Sequence, residues 1–477
     1  MTLSEFITKL DDIAWGSVVL CLLVGVGILI SISTGFLQFR KFGHAMKNTL
    51  GRVFEKHEAK KGEVTPLQAL CTALAGTVGT GNIAGVTGAI VVGGPGAVFW
   101  MWLSAIFGMC TKFAEVTLSV RYRERNEHGD WVGGPMYYIK NGLGKSFRWL
   151  GVLFCIFGAL AAFGIGNATQ VQSIGEAVGT AIDALGGNVG ASKITFLGST
   201  FTTCNLIVGI VVAAIVALVS FGGIKRIGSV TEKLVPVMAI VYILSTLVVI
   251  FANIGHIGTV FGMIFKGAFS AEAALGGAFG ITISTSITKG IARGCFSNEA
   301  GLGSAPMAHA ATSESNPVKQ GFFGIFEVFM DTIVICTLTS LTVLCGYCSS
   351  GIDIAWGTSG GASLVAGSIS SVFGSFGSVL LAICLALFAL STVLSWSLYG
   401  TRCFEYLFGT KASQGYKVVF VLFAIIGATM SLTDAWNLAD ALNGFMAIPN
   451  LIAVLTLSPE VIKLTKEYFD SQKALKR

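Results

Sequence analysis

The chain has 477 residues, of which 53% are hydrophobic and only 12% are charged, and its formal net charge is +6. A soluble domain carries about 25% charged residues, so this chain has too few charges to cover a water-exposed surface. The composition therefore excludes a soluble globular protein and predicts a polytopic membrane protein. The net charge follows from membrane orientation and gives no reason to expect nucleic acid as a partner.

Charge-free apolar runs of about 18 or more residues predict transmembrane helices. Eleven runs occur in chain order: 14–36, 66–92, 97–120, 149–175, 201–222, 234–254, 268–288, 321–345, 369–399, 417–432 and 435–457. The first run is longer than the apolar core of a signal peptide and follows an acidic flank. We therefore expect it to remain in the mature protein as the first span.

The distribution of basic residues predicts the orientation of these spans. Of the 31 lysines and arginines, 27 fall in alternate loops and the C-terminal tail, three fall on the other side, and Lys112 lies within a span. Basic residues near spans stay cytoplasmic. The pattern predicts a multi-pass protein of the cell membrane with its N-terminus outside, its C-terminus in the cytoplasm and an odd number of spans.

The second predicted span contains an unusual stretch, because residues 76–85 read GTVGTGNIAG. Glycines and polar side chains at membrane depth leave backbone groups unpaired, which costs several kcal/mol unless they line a cavity or bind a ligand. Close helix packing through small residues explains the spacing of Gly81 and Gly85. It does not explain the polar segment 79–82, which predicts a broken helix.

A second candidate interruption lies in the seventh predicted span, where residues 276–284 contain three glycines followed by hydroxyl side chains. The two interrupted spans are five apart. Without the first span, ten remain, and the interruptions then fall in the first helix of each five-helix half. Corresponding breaks in two inverted halves indicate the binding site of a secondary transporter.

Such breaks suit two kinds of ligand. Half-helix N-termini offer N–H groups to a carboxylate, whereas freed carbonyls and hydroxyls suit a hard cation such as Na⁺. Neutral oxygens are supplied by Thr77, Thr80, Asn82, Thr282, Ser391 and Thr392. A site of neutral oxygens favours Na⁺ over a proton, since a proton needs a titratable group.

Charged residues inside spans suggest an alternative coupling ion. Glu327 and Asp331 lie four residues apart on the eighth span, and intramembrane carboxylates are candidate functional groups. A proton relay or a cation entry path is therefore an open alternative. Lys112 and Glu115 share a helix face, and we expect an ion pair between them.

Four separated motifs resemble the alanine/glycine:cation (sodium) symporter family across nearly the whole chain. They are GTVGTGNIAG, the following GGPGAVFWMW at 93–102, GGPMYY at 133–138 and RGCFSNEAGLGSAPMA at 293–308. The resemblance implies an all-α, LeuT-like core of ten helices in which the first span is an addition. It also implies Na⁺-driven uptake of alanine or glycine, with some relatives carrying other neutral amino acids.

The resemblance further implies a set of site residues. In it, the substrate carboxylate meets the backbone at the first break, the second break contributes residues of the seventh span, and Gln170 and Trp396 form side-chain walls. The substrate residues implied are Thr77, Thr80, Gly81, Asn82, Gln170, Phe279, Gly280, Thr282 and Trp396. The sodium residues implied are the carbonyls of Ala75 and Val78 and the hydroxyls of Ser391 and Thr392.

The resulting division of the chain is an extra helix with a basic loop (1–65), a transport core (66–457) and a basic tail (458–477). The core comprises two repeats, 66–255 and 268–457. No catalytic constellation or nucleotide-binding loop occurs, so we expect a transporter and not an enzyme, with Na⁺ as co-transported ion and no cofactor. The alternatives are a proton-coupled carrier using Glu327 or Asp331 and a passive channel. The pair Cys345 and Cys348, predicted in an outer loop, indicates packing or a disulfide more than metal.

Overall fold

The computed structural model describes residues 2–52, 59–196, 199–270, 282–357, 361–429 and 433–474. These residues are almost entirely helical. The α-helices in chain order are α1 (Leu3–Ala14), α2 (Ser17–Ser33), α3 (Leu37–Arg40), α4 (Phe42–Thr49), α5 (Pro66–Thr77), α6 (Ala84–Gly93), α7 (Ala97–Arg121), α8 (Pro135–Tyr138), α9 (Arg148–Phe163), α10 (Thr169–Ala184), α11 (Thr203–Ser220), α12 (Gly223–Ala252), α13 (Ile257–Phe269), α14 (Ile283–Asn298), α15 (Pro306–His309), α16 (Pro317–Val328), α17 (Thr337–Ser350), α18 (Ala362–Phe373), α19 (Phe376–Thr429), α20 (Thr433–Thr456) and α21 (Ser458–Ala474).

Two short antiparallel hairpins interrupt the helical architecture. Strand β1 (Glu124–Arg125) pairs with β2 (Trp131–Val132), and β3 (Lys193–Phe196) pairs with β4 (Ser199–Thr202). The first hairpin follows α7 and the second precedes α11. Both therefore connect long helices.

The long helices are those of a polytopic membrane protein, as the composition predicts. Among the described residues, eight helices are long and apolar enough to cross a membrane, or nine if α5 and α6, which meet at 56°, form one broken span. The predicted count of eleven is not confirmed by this measure. At 1.5 Å per residue, α19 would be roughly 80 Å long, more than twice the hydrocarbon core of a bilayer, and Gly409 with φ 84° interrupts it.

Local sequence explains where the site-bearing helices begin and change geometry. Thr65 and Gln68 form a reciprocal capping box before Pro66, which occupies the first turn of α5. Two wider, π-type turns, Gly164–Ala168 and Phe329–Cys336, connect α9 to α10 and α16 to α17. Such turns often mark functional sites in helices, and here both face the broken helix.

The seventh span differs from the prediction in position. Residue 268 belongs to α13, and α14 runs ten residues beyond the predicted end at 288. A Cβ on Gly93, at the end of α6, would lie 3.2 Å from Lys289 Cβ. Lys289 and Arg293 both lie within α14. The contact with Gly93 places Lys289 at the end of the bundle opposite Thr65. The predicted end of the seventh span at 288 therefore lies inside a helix.

The cysteine pair also has a different environment from the one expected. Cys345 and Cys348 lie in α17 and not in an outer loop, and both are free thiols. Cys345 is fully buried, and Cys348 Sγ lies 3.8 Å from Met263 Sδ. Both cysteines therefore contribute to helix packing, which is the first of the two interpretations drawn from the sequence.

Candidate functional site

The first break follows α5 where the glycine-rich sequence predicts it. Val78 has φ −81° and ψ 88°, Gly79 is extended, and residues 80–82 form one 3₁₀ turn before α6. The Gly79 N–H donates to Asn82 Oδ1 at 2.8 Å, so a side chain replaces the helical acceptor that the chain has lost. A side chain within the break therefore stabilises its backbone. The side chains of Val78, Thr80 and Asn82 are buried.

The predicted wall residue Gln170 contacts this break directly. Its Oε1 accepts hydrogen bonds from Thr80 Oγ1 at 3.1 Å and from the Thr80 N–H at 3.4 Å. The Gln170 amide in turn donates to the Ile165 carbonyl at 3.0 Å, in the π-type turn before α10. A backbone irregularity in one helix thus positions the side chain that holds the break in another.

The residues expected to bind sodium are also brought together. Thr392 Oγ1 on α19 lies 3.1 Å from the Ala75 carbonyl oxygen, and Ser391 Oγ lies 3.4 Å from the same oxygen. Val78, three residues on, is 1% exposed. A Cβ on Gly79 would lie 2.5 Å from Thr392 Oγ1, so a larger residue there would require Thr392 or the break to shift. The cluster consists of neutral oxygens, the kind of ligand that a monovalent hard cation accepts.

Thr77 is one of the residues expected at the substrate site. Its Oγ1 donates back to the carbonyls of Ala73 and Leu74 at 3.4 and 3.3 Å within α5. The side chain is 4% exposed. Its hydroxyl is therefore engaged by its own helix.

A second break lies at residues 299–305, between α14 and α15, and most of the predicted interruption at 276–284 lies outside the described residues. Glu299, Gly301 and Gly303 all have positive φ (53°, 92° and 83°), the left-handed region that glycine adopts without strain. Residues 298–312 are buried. Irregular backbone at this depth persists only where protein groups or a ligand satisfy it.

Side chains from distant helices satisfy part of that backbone. The Gly301 N–H donates to Glu115 Oε1 at 3.1 Å, and Asn450 Nδ2 donates to the Gly301 carbonyl at 2.8 Å. Asn450 also donates to Glu115 Oε1 at 2.5 Å. Glu115 therefore supports the second break and is not the ion-pair partner of Lys112 that its spacing suggested.

Trp396 connects the second break to the rest of the site. Its indole Nε1 donates to Glu299 Oε1 at 3.2 Å, and Ser304 donates to the other oxygen of that carboxylate. A Cβ on Gly166 would lie 2.3 Å from Trp396 Cβ, so the tryptophan is tightly packed against the π-type turn. Trp396 is 2% exposed, and its role as a wall of the substrate pocket stays a prediction.

Of the other residues expected at the second break, Thr282 is the one that the structure describes, and it is not brought to the site. Thr282 is exposed and caps α14, where its Oγ1 accepts a hydrogen bond from the Thr285 N–H at 3.0 Å. Phe279 and Gly280 lie outside the described residues. The segment NEAGLGSAP at 298–306 was the available signal, since it combines polar residues and glycines between apolar flanks.

Two aromatic residues beside the first break were missed from the sequence. A Cβ on Gly81 would lie 3.4 Å from the Phe296 ring, so Phe296 covers that glycine. The Tyr399 hydroxyl is buried, has no hydrogen-bond partner among the described residues, and would lie 2.8 Å from a Cβ on Gly76. A buried, unpaired hydroxyl next to a break is a polar group available to a ligand.

Asp331 ties both breaks to the π-type turn after α16. Its Oδ1 accepts a hydrogen bond from Asn82 Nδ2 at 2.6 Å, and its Oδ2 accepts from Ser297 Oγ at 2.9 Å and Thr332 Oγ1 at 2.7 Å. The carboxylate is fully buried. Asn82 thus bridges Gly79 and Asp331, and rotation of any one of them would disturb the break.

Glu327 has a different environment from Asp331. Lys112 Nζ lies 3.3 Å from one of its oxygens and His309 Nε2 lies 3.0 Å from the other, with all three side chains buried. The sequence showed no basic partner for Glu327, because this partner lies on another helix.

Access to the site differs between the two ends of the bundle. A cavity of about 530 Å³ between α6, α10, α18 and the start of α19 reaches Ala84 and Thr169, the neighbours of the break and of Gln170. Gln172, Ser173 and Glu176 also line it. A polar path therefore reaches the site from the end of the bundle at which α10 terminates.

Backbone pairing closes the opposite end. The Val64 N–H donates to the Ala311 carbonyl at 3.0 Å, and the Ser313 N–H donates to the Val64 carbonyl at 2.8 Å. Arg123 reinforces this bridge by donating to the carbonyls of residues 310, 312 and 314 at 3.0, 2.6 and 3.1 Å. The Trp131 ring lies between Arg123 and Arg125, whose guanidinium carbons are 4.3 and 4.0 Å from its centroid.

Comparisons with known proteins agree with this architecture. The solved structure of MhsT in complex with L-phenylalanine superposes with a TM-score of 0.58 at 15% identity, covering 85% of this chain and 99% of that chain. This similarity shows that the chain has the LeuT-like fold.

The sequence relationships are closer. The sodium/alanine symporter AgcS of Methanococcus maripaludis is 44% identical over 482 residues, with 99% of each chain covered. The amino-acid carrier protein AlsT of Bacillus subtilis is 36% identical, with 95% of this chain and 89% of AlsT covered. The model of the sodium:alanine symporter family matches residues 1–477. The chain therefore belongs to the sodium:alanine symporter family and is a membrane transporter, not an enzyme.

Proposed function

We propose that the chain is a secondary active symporter that couples inward Na⁺ movement to uptake of a small neutral amino acid, alanine or glycine, by alternating access. One observation carries this proposal. The Ala75 carbonyl and the hydroxyls of Ser391 and Thr392 lie together, five residues along the chain from the Thr80 backbone. A single broken segment can thus bind both the ion and the amino acid, which couples their occupancies.

The substrate would occupy the space between the two breaks. In this proposal, its carboxylate meets the backbone of Thr80 and Gly81, Asn82 lies beside it, and Gln170 and Trp396 flank it. Phe296 above Gly81 and the packed Trp396 support a small side chain, because both aromatic residues restrict the volume. At the second break, we assign Glu299 and Gly301 to the substrate site in place of Phe279, Gly280 and Thr282. The name of AgcS, a sodium/alanine symporter, supports alanine.

The energetics of one coupled ion are sufficient for accumulation. A membrane potential of about 100 mV supplies about 2.3 kcal/mol per charge moved. Since about 1.4 kcal/mol corresponds to a factor of ten, one sodium ion sustains roughly 50-fold accumulation before its own concentration gradient is counted. The symporter therefore needs no nucleotide.

Membrane topology and domain division belong to the same proposal. If α19 is two spans and each broken pair, α5 with α6 and α14 with α15, is one span, the chain has eleven. We propose an outside N-terminus, a cytoplasmic C-terminus, an extra N-terminal helix before a ten-helix core of 66–457, and a tail of 458–477. The closed end at Val64 is then the cytoplasmic gate, and the cavity at Gln172 and Glu176 is the outer vestibule.

The test is uptake of radiolabelled alanine into proteoliposomes, with and without an inward sodium gradient. The proposal predicts accumulation above equilibrium only with the gradient, and competition by glycine. Equilibration without accumulation would indicate a channel. Uptake indifferent to sodium would reject the symporter proposed here.

A proton-coupled carrier is the second candidate, and Asp331 is the observation in its favour. Its carboxylate contacts Asn82 in the first break, so its protonation would alter the break directly. Glu327 is less suited to this role because Lys112 and His309 already hold it. Sodium-free uptake driven by a pH gradient, and lost in Asp331→Asn, would establish this candidate instead.

A further inference from the structure

A cationic cavity lies on the surface of the helix bundle, away from the transport site. It is open, has a volume of about 550 Å³, and separates the turn after α2 from the C-terminal helix α21. Four basic side chains line it, together with one carboxylate. They are Arg40, Lys41, Lys466, Lys473 and Asp470, and we call this site the basic pocket.

Among the described residues, the four basic side chains of the basic pocket have one carboxylate partner between them. Lys473 Nζ lies 3.5 Å from Asp470 Oδ1, so the carboxylate already has a cationic partner. Arg40 donates to the Thr34 carbonyl at 3.1 Å, and Lys41 Nζ lies 4.8 Å from the centre of the Phe469 ring. These contacts orient the side chains but leave their charge uncompensated, so the basic pocket attracts anions.

Apolar side chains extend from the same edge of the protein. Ile32 is 60% exposed, Phe36 43% and Phe39 60%. They flank Arg40 and lie where α2, the membrane-crossing part of the first span, ends. A membrane-spanning helix exposes such residues to lipid chains, and its basic neighbours then lie at the level of the headgroups.

We propose that the basic pocket binds the headgroup of an anionic phospholipid, with the acyl chains lying along Ile32, Phe36 and Phe39. Basic pockets between helices at a membrane surface recognise anionic headgroups through charge. A free anion would use the cations but would gain nothing from the adjoining apolar surface. A bound lipid would link the first span to α21, the two elements on either side of the basic pocket. The site is independent of the sodium and substrate assignments above.

The test measures lipid binding to the full purified chain in detergent by native mass spectrometry. Phosphatidylglycerol and phosphatidylcholine are titrated separately against the wild type, R40Q/K466Q and the matched control K225Q/K463Q. The control removes the same charge from exposed residues outside the basic pocket. The single variant Lys466→Gln is also measured. The Lys466 side chain is exposed and makes no hydrogen bond among the described residues, so its replacement should not impair folding.

We expect one phosphatidylglycerol to bind well above the background set by phosphatidylcholine. Each basic side chain near an anionic surface contributes about fivefold, so Lys466→Gln should bind about fivefold more weakly and the double variant about twentyfold. The control should stay within about twofold of wild type on the same basis. Thermal unfolding of each variant, unchanged from wild type, verifies that the fold is kept.

Three results would overturn the proposal. Equal binding of the two lipids would show that the anionic headgroup is not recognised. An equal loss in the control would mean that general surface charge is responsible. Displacement of the lipid by excess inorganic phosphate would identify a site for free anions, not for a membrane lipid.

Discussion

Lys112 on α7 and Glu327 on α16 form an ion pair at 3.3 Å in which neither side chain is exposed. His309 Nε2 approaches the other carboxylate oxygen at 3.0 Å, and Gln320 lies 2.9 Å from the second nitrogen of that imidazole. The pair therefore belongs to a buried network that joins α7, α15 and α16. The network therefore holds together helices that adjoin the second break.

Removing one partner of this pair should destabilise the protein strongly. Glu327→Gln leaves Lys112 charged and unpaired, and an unpaired buried charge costs about 3–5 kcal/mol. Thermal unfolding in detergent should show a clearly lower Tm than wild type. The double variant Lys112→Met/Glu327→Leu should recover part of the loss, because neither charge remains.

The matched control for this prediction is the exposed pair of Arg121 and Glu460, which are 3.3 Å apart. Arg121→Gln should cost less than about 1 kcal/mol, since solvent screens exposed pairs. If Glu327→Gln unfolds at the wild-type temperature, the buried pair does not hold the helices together.

The first break could be predicted from sequence because its signal is local. Alternating glycines and polar residues at 76–85 interrupt an apolar run, and no packing pattern accounts for all of them. The contacts of Gln170, Ser391 and Thr392 with that break came instead from family resemblance. Spacing within one helix carries no information about which distant helix lies alongside.

The second break shows where local composition fails. Residues 276–284 and 298–306 are both rich in glycine and polar side chains, so composition alone does not select between them. The structure places a break at 299–305, beyond the predicted end of the seventh span at 288. The ion-pair partner of Lys112 was also predicted wrongly. Glu115 is near Lys112 in sequence, but the carboxylate that contacts Lys112 in space is that of Glu327 on another helix.

Thr392→Val should weaken sodium binding without altering the fold. Valine has nearly the shape of threonine but lacks the hydroxyl that lies 3.1 Å from the Ala75 carbonyl. Loss of one such interaction costs about 1 kcal/mol. The sodium concentration for half-maximal alanine uptake should therefore rise about fivefold.

The control for this change is Thr401→Val on the same helix, whose hydroxyl donates to its own helix at the Ser397 carbonyl. It should leave the sodium dependence of uptake unaltered. An unchanged sodium dependence in Thr392→Val would place the ion elsewhere.

Gly79→Ala should impair transport by steric means. The new Cβ would lie 2.5 Å from Thr392 Oγ1, so either the break or the threonine must move. Overpacking of this kind costs about 1–3 kcal/mol, and uptake at subsaturating sodium should fall by roughly five- to hundredfold. Gly25→Ala on α2, where a Cβ meets nothing within 4 Å, is the control. Normal uptake by Gly79→Ala would mean that the close approach of α5 and α19 is not required.

Arg123→Ala should loosen the end of the bundle that Val64 closes. The guanidinium donates to three carbonyls of the segment 310–314, and hydrogen bonds from a charged donor contribute about 1.5–3 kcal/mol. Without them the Val64 bridge should open more often, and amide hydrogen exchange of that segment should accelerate by about tenfold or more. Hydrogen exchange with mass spectrometry measures this effect directly.

The reason to expect a local effect is that the remaining contacts of this end are individually weak. The two backbone hydrogen bonds of Val64 are of ordinary length and connect a single residue to the opposing segment. Arg121→Ala, two positions earlier, removes an equal charge from an exposed residue bound to Glu460, and its exchange at 310–314 should match wild type. Equal acceleration in both variants would show that charge near the membrane, and not the carbonyl contacts of Arg123, governs closure. Acceleration confined to Arg123→Ala, together with slower alanine uptake, would show that the Arg123 side chain keeps this end of the bundle closed.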